Sequence, residues 1–134
     1  MNLVVKMISF SDFLFNMALE DIYIDDQYYI NLICEGDMYI NAGLAKFAIS
    51  ENHDIDSIKE SIQLCTHGIK VYSRAFYSYH IQDVYHKMIE GLNYIETIAN
   101  SNNDYNSYNA KIISAKHELF IRYNSDTSLI YKLL

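Results

Sequence analysis

The sequence predicts an all-α protein, a single-domain bundle of five to six helices around an antiparallel four-helix core. Apolar residues recur at spacings of three and four, which places them on one face of each helix. The chain contains no proline, so no residue in it forces a helix to break. The connections between the apolar stripes are short and polar, which favours helices packed beside their sequence neighbours. At 134 residues, residues 1–134 are expected to form one domain.

Two helices are expected in the first part of the chain. Ser11 is a candidate N-cap for a short helix that ends near Glu20. Asp25 or Asp26 can cap a second helix, which ends near Ile49. The segment between the two helices reads as a turn or a brief extended link. These starts depend on side-chain oxygens that accept bonds from the first backbone N–H groups of a helix.

The predicted inward face of this second helix includes one carboxylate among apolar residues: Ile30, Ile33, Asp37, Ile40, Leu44 and Phe47. A buried, unpaired carboxylate is costly. We therefore expect either that the helix turns Asp37 outward or that a base pairs with it, and the candidate bases are Lys70, Arg74 and Arg122. Gly36 and Gly43, seven residues apart, should allow a neighbouring helix to approach closely.

The most regular stripe in the chain defines the third helix, for which Asp54 is the candidate N-cap: Ile58, Ile62, Cys65, Ile69, Tyr72, Phe76 and Tyr79. Beyond this stripe a new one begins in a different register: Ile81, Val84, Tyr85, Met88, Leu92, Ile95 and Ala99. The change of register predicts a break near residues 78–81 and a fourth helix after it. A single bent helix to residue 99 is the alternative.

A polar loop at residues 100–104 is expected to separate the fourth helix from a fifth. The inward residues predicted for the fifth helix are Tyr108, Ile112, Ala115, Leu119 and Tyr123. The polar residues 124–127 are expected to end it, and a short apolar tail follows. Cys34 and Cys65 fall at apolar positions of helices, which favours two reduced thiols in the core over a disulfide.

Acidic residues are concentrated in the first half of the chain. Residues 1–60 carry eleven acids and three lysines, whereas residues 61–134 carry six acids and seven bases, and the total is −7. Nucleic-acid binding depends on Lys and Arg that neutralise phosphates, so direct contact with nucleic acid is not expected. An acidic surface instead attracts a basic partner. The simpler interpretation is a solvated surface with several acids at helix N-termini.

Tyrosines accompany these acids, and tyrosine beside carboxylates is typical of protein-binding surfaces. The predicted partner-binding residues are Asp21, Tyr23, Asp25, Asp26, Tyr28, Tyr29, Glu35, Asp37 and Tyr39. The sequence therefore favours a non-enzymatic inhibitor that blocks a basic protein partner. A nuclease or toxin is a suitable target, as for an immunity protein or a phage or viral antagonist of host defence. An oligomer built through the apolar stripe of the third helix, such as a homodimer, is a further interpretation.

Arg74 and His80, with five residues between them, resemble the Arg-x4–6-His element of HEPN ribonucleases. The resemblance covers seven residues, and Ala75 stands where that family usually has a polar residue. It implies a four-helix protein whose Arg and His cleave RNA at a dimer interface, and this is the alternative function. The simpler interpretation is a solvent-facing Arg and a helix-terminal His favoured by the helix dipole.

Asp83, His86 and Glu90 share one helix face and form a candidate metal site, which His117 and Glu118 could complete. A polar face against water is the preferred interpretation, so neither a metal nor another cofactor is expected. No apolar run approaches the roughly 18 residues of a membrane span, and the first ten residues lack a secretory signal. We therefore expect a cytoplasmic protein without membrane contact.

Overall fold

Four helices form the described part of the molecule. A computed structural model describes residues 25–50, 54–76, 78, 80–103 and 108–133, the last eight through their backbone alone. The helices are α1 (Asp26–Ile49), α2 (Ile55–Ser73), α3 (Ile81–Asn100) and α4 (Asn109–Leu133). This confirms an all-α helical bundle. The expected helix over residues 11–20 lies outside the described residues, and the count of five to six helices and the antiparallel core stay predictions.

Each helix packs mainly on its neighbours in the sequence: α1 on α2, α2 on α3, and α3 on α4. The α2 stripe from Ile58 to Phe76 and the α3 stripe from Ile81 to Ala99 are buried as predicted, except that Tyr85 is half-buried. Tyr108, directly before α4, and residues 112, 115 and 119 of α4 belong to the same core. Among the described residues, no helix combines the length and the hydropathy that a membrane span requires.

Two of the expected helix starts are confirmed by their caps. The carboxylate of Asp25 accepts a hydrogen bond from the backbone N–H of Tyr28 at 2.8 Å. That of Asp54 accepts one from the N–H of Ser57 at 3.3 Å. A break before Ile81 and a new helix after it are confirmed, but α2 already ends at Ser73, earlier than the expected break near residues 78–81. Two acids of the first half thus satisfy backbone groups at helix ends.

The inward face predicted for α1 is displaced, because Ile40 is the one residue of the predicted six that is buried. The buried residues of α1 are Leu32, Gly36, Ile40 and Gly43, whereas Ile30 is 50% exposed. Two glycines lie at the centre of the contact with α2, so the narrowest side of α1 faces its neighbour. Asp37 consequently lies on the flank of α1 and is half-buried.

The close approach of α1 to α2 requires glycine. A Cβ added at Gly36 would overlap the ring of Tyr72, and one at Gly68 would lie 2.8 Å from the carbonyl oxygen of Gly36. The backbones therefore meet where neither helix has a side chain, as the sequence predicts for Gly36. The contact places the Tyr72 ring against the backbone of α1.

Two further expectations are wrong. The polar residues 124–127 do not end the last helix, because α4 continues to Leu133. Asn, Ser, Asp and Thr each cost only a few tenths of a kcal/mol in a helix, and residues 124–127 contain no glycine or proline. Cys34 is exposed, so only Cys65 is a core thiol, and both are free. Burial raises the pKa of the Cys65 thiol to about 12.

Candidate functional site

A polar groove lies between α1 and α3. Both helices pack on α2 but barely contact each other, so α2 forms the floor between them. We define the α1–α3 groove by the polar residues that line or adjoin it: Asp26, Tyr29, Asp37, Asn41, Tyr72, His80, Asp83, Lys87, Glu90 and Tyr94. The α3 members, Asp83, Lys87, Glu90 and Tyr94, are spaced four, three and four residues apart, which places them on one face.

The centre of the groove holds an ion pair and a phenol. Lys87 Nζ donates to Asp37 Oδ1 at 3.0 Å and to Oδ2 at 3.3 Å. The hydroxyl of Tyr72 donates a hydrogen bond to the same Oδ1. Burial, followed by this bond and the nearby carboxylates of Asp37 and Glu90, raises the pKa of Tyr72, so the phenol stays protonated. Asp37 is therefore paired with α3, and none of the three predicted bases is its partner.

One end of the groove is formed by His80, the residue that precedes α3. Its Nε2 lies 3.2 Å from Asp26 Oδ1. Its ring stacks on Tyr29, with centroids 3.9 Å apart and an angle of 16° between the planes. Burial, and then the negative charges of Asp83 and Asp37, raise the pKa of Tyr29. Asp83 thus contributes to the negative potential at this end.

The other end of the groove contains a cavity of about 240 Å³ that reaches from the ion pair to Glu90 and Tyr94. The Tyr94 hydroxyl donates to Glu90 Oε1 at 2.8 Å, and this bond is the main cause of the raised pKa of Tyr94. The side chains of Lys87 and Asp37 are 40% and 38% exposed, so the cavity is open to solvent. Polar atoms dominate its lining.

The groove has an excess of negative charge. Among the described residues assigned to it, four carry carboxylates: Asp26, Asp37, Asp83 and Glu90. Lys87 and His80 are the basic members of the same set. Lys87 offsets Asp37, and a ring nitrogen of His80 contacts Asp26, whereas Asp83 and Glu90 have no basic partner among the described residues. Three tyrosines, at positions 29, 72 and 94, lie beside these carboxylates.

The structure divides the predicted partner-binding residues. Asp21 and Tyr23 lie outside the described residues, and Asp25 caps α1. Asp26, Tyr29 and Asp37 belong to the α1–α3 groove. The others lie at positions i, i+7 and i+11 along α1, which places them together on its opposite flank: Tyr28, Glu35 and Tyr39. The predicted residues therefore do not share one surface.

The opposite flank has a different character. The ring of Tyr39 meets that of His67 edge to face, with centroids 4.2 Å apart. A shallow, mainly apolar depression of about 400 Å³ follows, between Tyr39 and the α2 residues 60, 63, 64 and 67. Glu60 pairs with Lys46 at 2.7 Å. On this flank Glu60 is thus compensated, whereas the exposed Glu35 has no basic partner among the described residues.

The sequence offers two candidate chemical sites, the Arg74–His80 pair and the metal site at Asp83, His86 and Glu90. Arg74 is exposed at the end of α2, while His80 is held by Asp26 and Tyr29 in the groove. The dipole argument for His80 is wrong, because His80 precedes the N-terminus of α3, where a positive charge is disfavoured. Within the described ranges, no three His, Cys, Asp or Glu residues are placed to hold a metal ion. Asp83 and Glu90 lie in the groove, while the exposed His86 contacts the ring of Tyr85.

Sequence reasoning missed Lys87, Tyr72 and Tyr94 as members of a polar site. Tyr72 belongs to an apolar stripe, so its spacing predicts a ring in the core. The position of its hydroxyl beside Asp37 follows from the packing of α1 on α2. A signal for the α3 members was present, because charged residues recur at i, i+4 and i+7 from Asp83. Comparisons of the chain with protein-family models, curated proteins and solved structures found no match.

Proposed function

We propose that the protein is a non-enzymatic, protein-binding inhibitor that takes a basic partner into the α1–α3 groove. The observation that carries this proposal is the charge excess of the groove, four carboxylates against Lys87 and His80. Opposite charge speeds the encounter of two proteins and selects the partner. The inhibitor role follows from occlusion, because a partner whose basic surface lies in the groove cannot offer that surface to a phosphate-bearing substrate. A nuclease or a toxin has such a surface.

The tyrosines of the groove support a protein partner. Tyr29 and Tyr94 are half-buried, so each presents part of a rigid ring together with a polar end. Rings of this kind supply contact area at a low entropic cost. Tyrosine is also enriched among the residues that dominate binding energies.

A binding assay with a defined cation tests the proposal. Fluorescence anisotropy measures the affinity of the full chain for a labelled nine-arginine peptide at about 50 mM and 500 mM salt, because surface electrostatics weaken as salt shortens the screening length. The groove variant is Asp83→Asn/Glu90→Gln. Its matched control is Asp56→Asn/Glu35→Gln, since Asp56 and Asp83 each lie in the first turn of a helix and Glu35 and Glu90 are exposed mid-helix residues.

Both double variants remove two negative charges from the molecule. We expect the groove variant to weaken the peptide about tenfold at low salt, equivalent to about 1.4 kcal/mol. The control should change the affinity less than about threefold. Equal losses in the two variants would assign the binding to net charge and would remove the support for a groove site.

The HEPN-like ribonuclease remains the alternative function, and a direct assay separates the two. Purified protein is incubated with RNA beside the Arg74→Ala/His80→Ala variant. Cleavage that disappears in the variant would establish the enzyme and contradict the inhibitor. The bonds of His80 within the chain support a structural role for this side chain. The neighbouring carboxylates also oppose the approach of phosphates.

A further inference from the structure

The cavity at the Glu90 end of the groove has features that select one kind of cation. It measures about 240 Å³ and lies between Asp37, Asn41, Tyr72, Lys87, Glu90 and Tyr94. Pockets for drug-sized ligands occupy about 300–1,000 Å³, so the cavity suits a single side chain better than a whole small molecule. Its opening to solvent between α1 and α3 lets a side chain enter from a docked partner.

The charge of the cavity is negative at one end. Lys87 offsets Asp37 through two contacts, whereas no described base pairs with Glu90. Oε1 of Glu90 accepts the Tyr94 hydroxyl, and Oε2 accepts from no described residue. A cation that enters the cavity is repelled by Lys87 and attracted by Glu90, so its place is beside Glu90 and Tyr94.

The surroundings of Glu90 favour a guanidinium over an ammonium group. A guanidinium is a planar fork of donors, and it can bond a carboxylate oxygen and an amide oxygen at the same time. Glu90 and Asn41 offer such oxygens across the cavity. Tyr94 also lines the cavity, and a planar cation stacks on an aromatic ring better than a compact one does.

We infer that this cavity receives an arginine side chain of the basic partner, with Glu90 and Asn41 as acceptors and Tyr94 as the stacking ring. The inference rests on the proposed function, which supplies the partner. The partner is then recognised in two ways. Its positive charge attracts it to the groove, and one arginine, which we call the arginine anchor, enters between α1 and α3.

A nuclear magnetic resonance titration of the full chain with Nα-acetyl-arginine amide tests the cavity. We expect saturable shifts of the Asn41 and Gly91 amide signals, since both residues line the cavity. Nα-acetyl-lysine amide should bind at least about fivefold more weakly. Glu90→Gln should raise the Kd of the arginine compound about tenfold, because it removes a charge-assisted bond. Glu35→Gln, on the opposite flank, should leave the Kd unchanged.

The inference is overturned by unchanged Asn41 and Gly91 signals, by equal binding of the lysine compound, or by a Glu90→Gln variant with unaltered affinity. The dispersion of the spectrum shows whether that variant folds. If it does not, Tyr94→Leu serves as the second variant and should also weaken the arginine compound.

The nine-arginine peptide distinguishes the two proposals. If the groove variant weakens the peptide but the cavity signals do not move, the groove stands and the arginine anchor fails. If the arginine compound binds but the peptide does not, the proposed partner fails, and the anchor fails with it.

Discussion

At the scale of single residues, Asp37 shows how the protein resolves a carboxylate among apolar neighbours. The flank position keeps the side chain 38% exposed, which reduces the cost of desolvation. Lys87 and Tyr72 then donate three hydrogen bonds to it. The two expectations for this residue, outward rotation and a basic partner, are thus both met in part.

The bond from Tyr72 to Asp37 should contribute measurably to stability. Tyr72→Phe is expected to lower the free energy of unfolding by about 1–2 kcal/mol, because the acceptor is charged but half-exposed. Urea denaturation measures the change. Tyr94→Phe is the control: its hydroxyl bonds Glu90 one turn away on the same helix, so a loss of about 0.5 kcal/mol or less is expected. A larger loss of stability in Tyr94→Phe than in Tyr72→Phe would contradict the stabilising role of the bond from Tyr72 to Asp37.

Cys65 should give the protein a stability that depends on alkaline pH. The folded-state pKa of the thiol is raised to about 12 from an ordinary value of 9.0, so the folded protein holds this proton more tightly than the unfolded chain does. The contribution is complete below about pH 9. It decreases as pH rises towards 12, at a slope of up to about 1.4 kcal/mol per pH unit.

Urea denaturation between pH 7 and 11 tests the Cys65 effect. Cys65→Ala should flatten the alkaline decline relative to the unmodified chain, while Cys34→Ala, at an exposed thiol, should leave it unchanged. Tyrosines titrate in the same range, so the comparison between the two variants is decisive. The same slope in both variants would exclude Cys65 as the source.

At the scale of helices, the spacing of apolar residues predicted α2 and α3 better than α1. Ile58 to Phe76 form one uninterrupted stripe, so only one face of α2 can be the core. Apolar residues surround α1, including the exposed Ile30 and Met38, and periodicity alone therefore could not choose its inner face. Gly36 and Gly43 determine the inner face, because they allow α1 to lie close to α2. How close the two helices come also depends on the residues of α2.

Gly36→Ala should destabilise the protein although alanine favours helices by about 1 kcal/mol over glycine. The added methyl would overlap the Tyr72 ring, and overpacking of this kind costs about 1–3 kcal/mol. We expect the clash to prevail and the melting temperature to fall. When Tyr72→Ala is already present, adding Gly36→Ala should lower the stability by less than Gly36→Ala does in the unmodified chain. An increase in stability for the single variant would contradict the close contact.

The groove illustrates why a site is harder to predict than a fold. The sequence identified Asp26, Tyr29 and Asp37, together with Asp83 and Glu90 as polar residues of one face. It could not join the two sets, because the pairing of α1 with α3 across α2 is a property of the packed bundle. The segregation of acids to residues 1–60 was also an incomplete guide, since Asp25 and Asp54 cap helices and Glu60 pairs with Lys46.

At the scale of the whole molecule, a line of negative charge lies between α1 and α3, made of the four carboxylates of the groove. Asp83 and Glu90, from the nearly neutral half of the sequence, supply its uncompensated part, and α1 supplies Asp26 and Asp37. The predicted Tyr28, Glu35 and Tyr39 lie on the other flank of α1. These two surfaces of one helix give the proposal a direct spatial test.

The most direct test is to map where the nine-arginine peptide binds, by following the backbone amide signals of the full chain at low salt. We expect the largest shifts along the groove, at Asp37, Asn41, Asp83, Glu90 and Gly91. These shifts should decrease as salt is added. Shifts concentrated at Tyr28, Glu35 and Tyr39, or spread evenly over the surface, would contradict a basic partner in the α1–α3 groove.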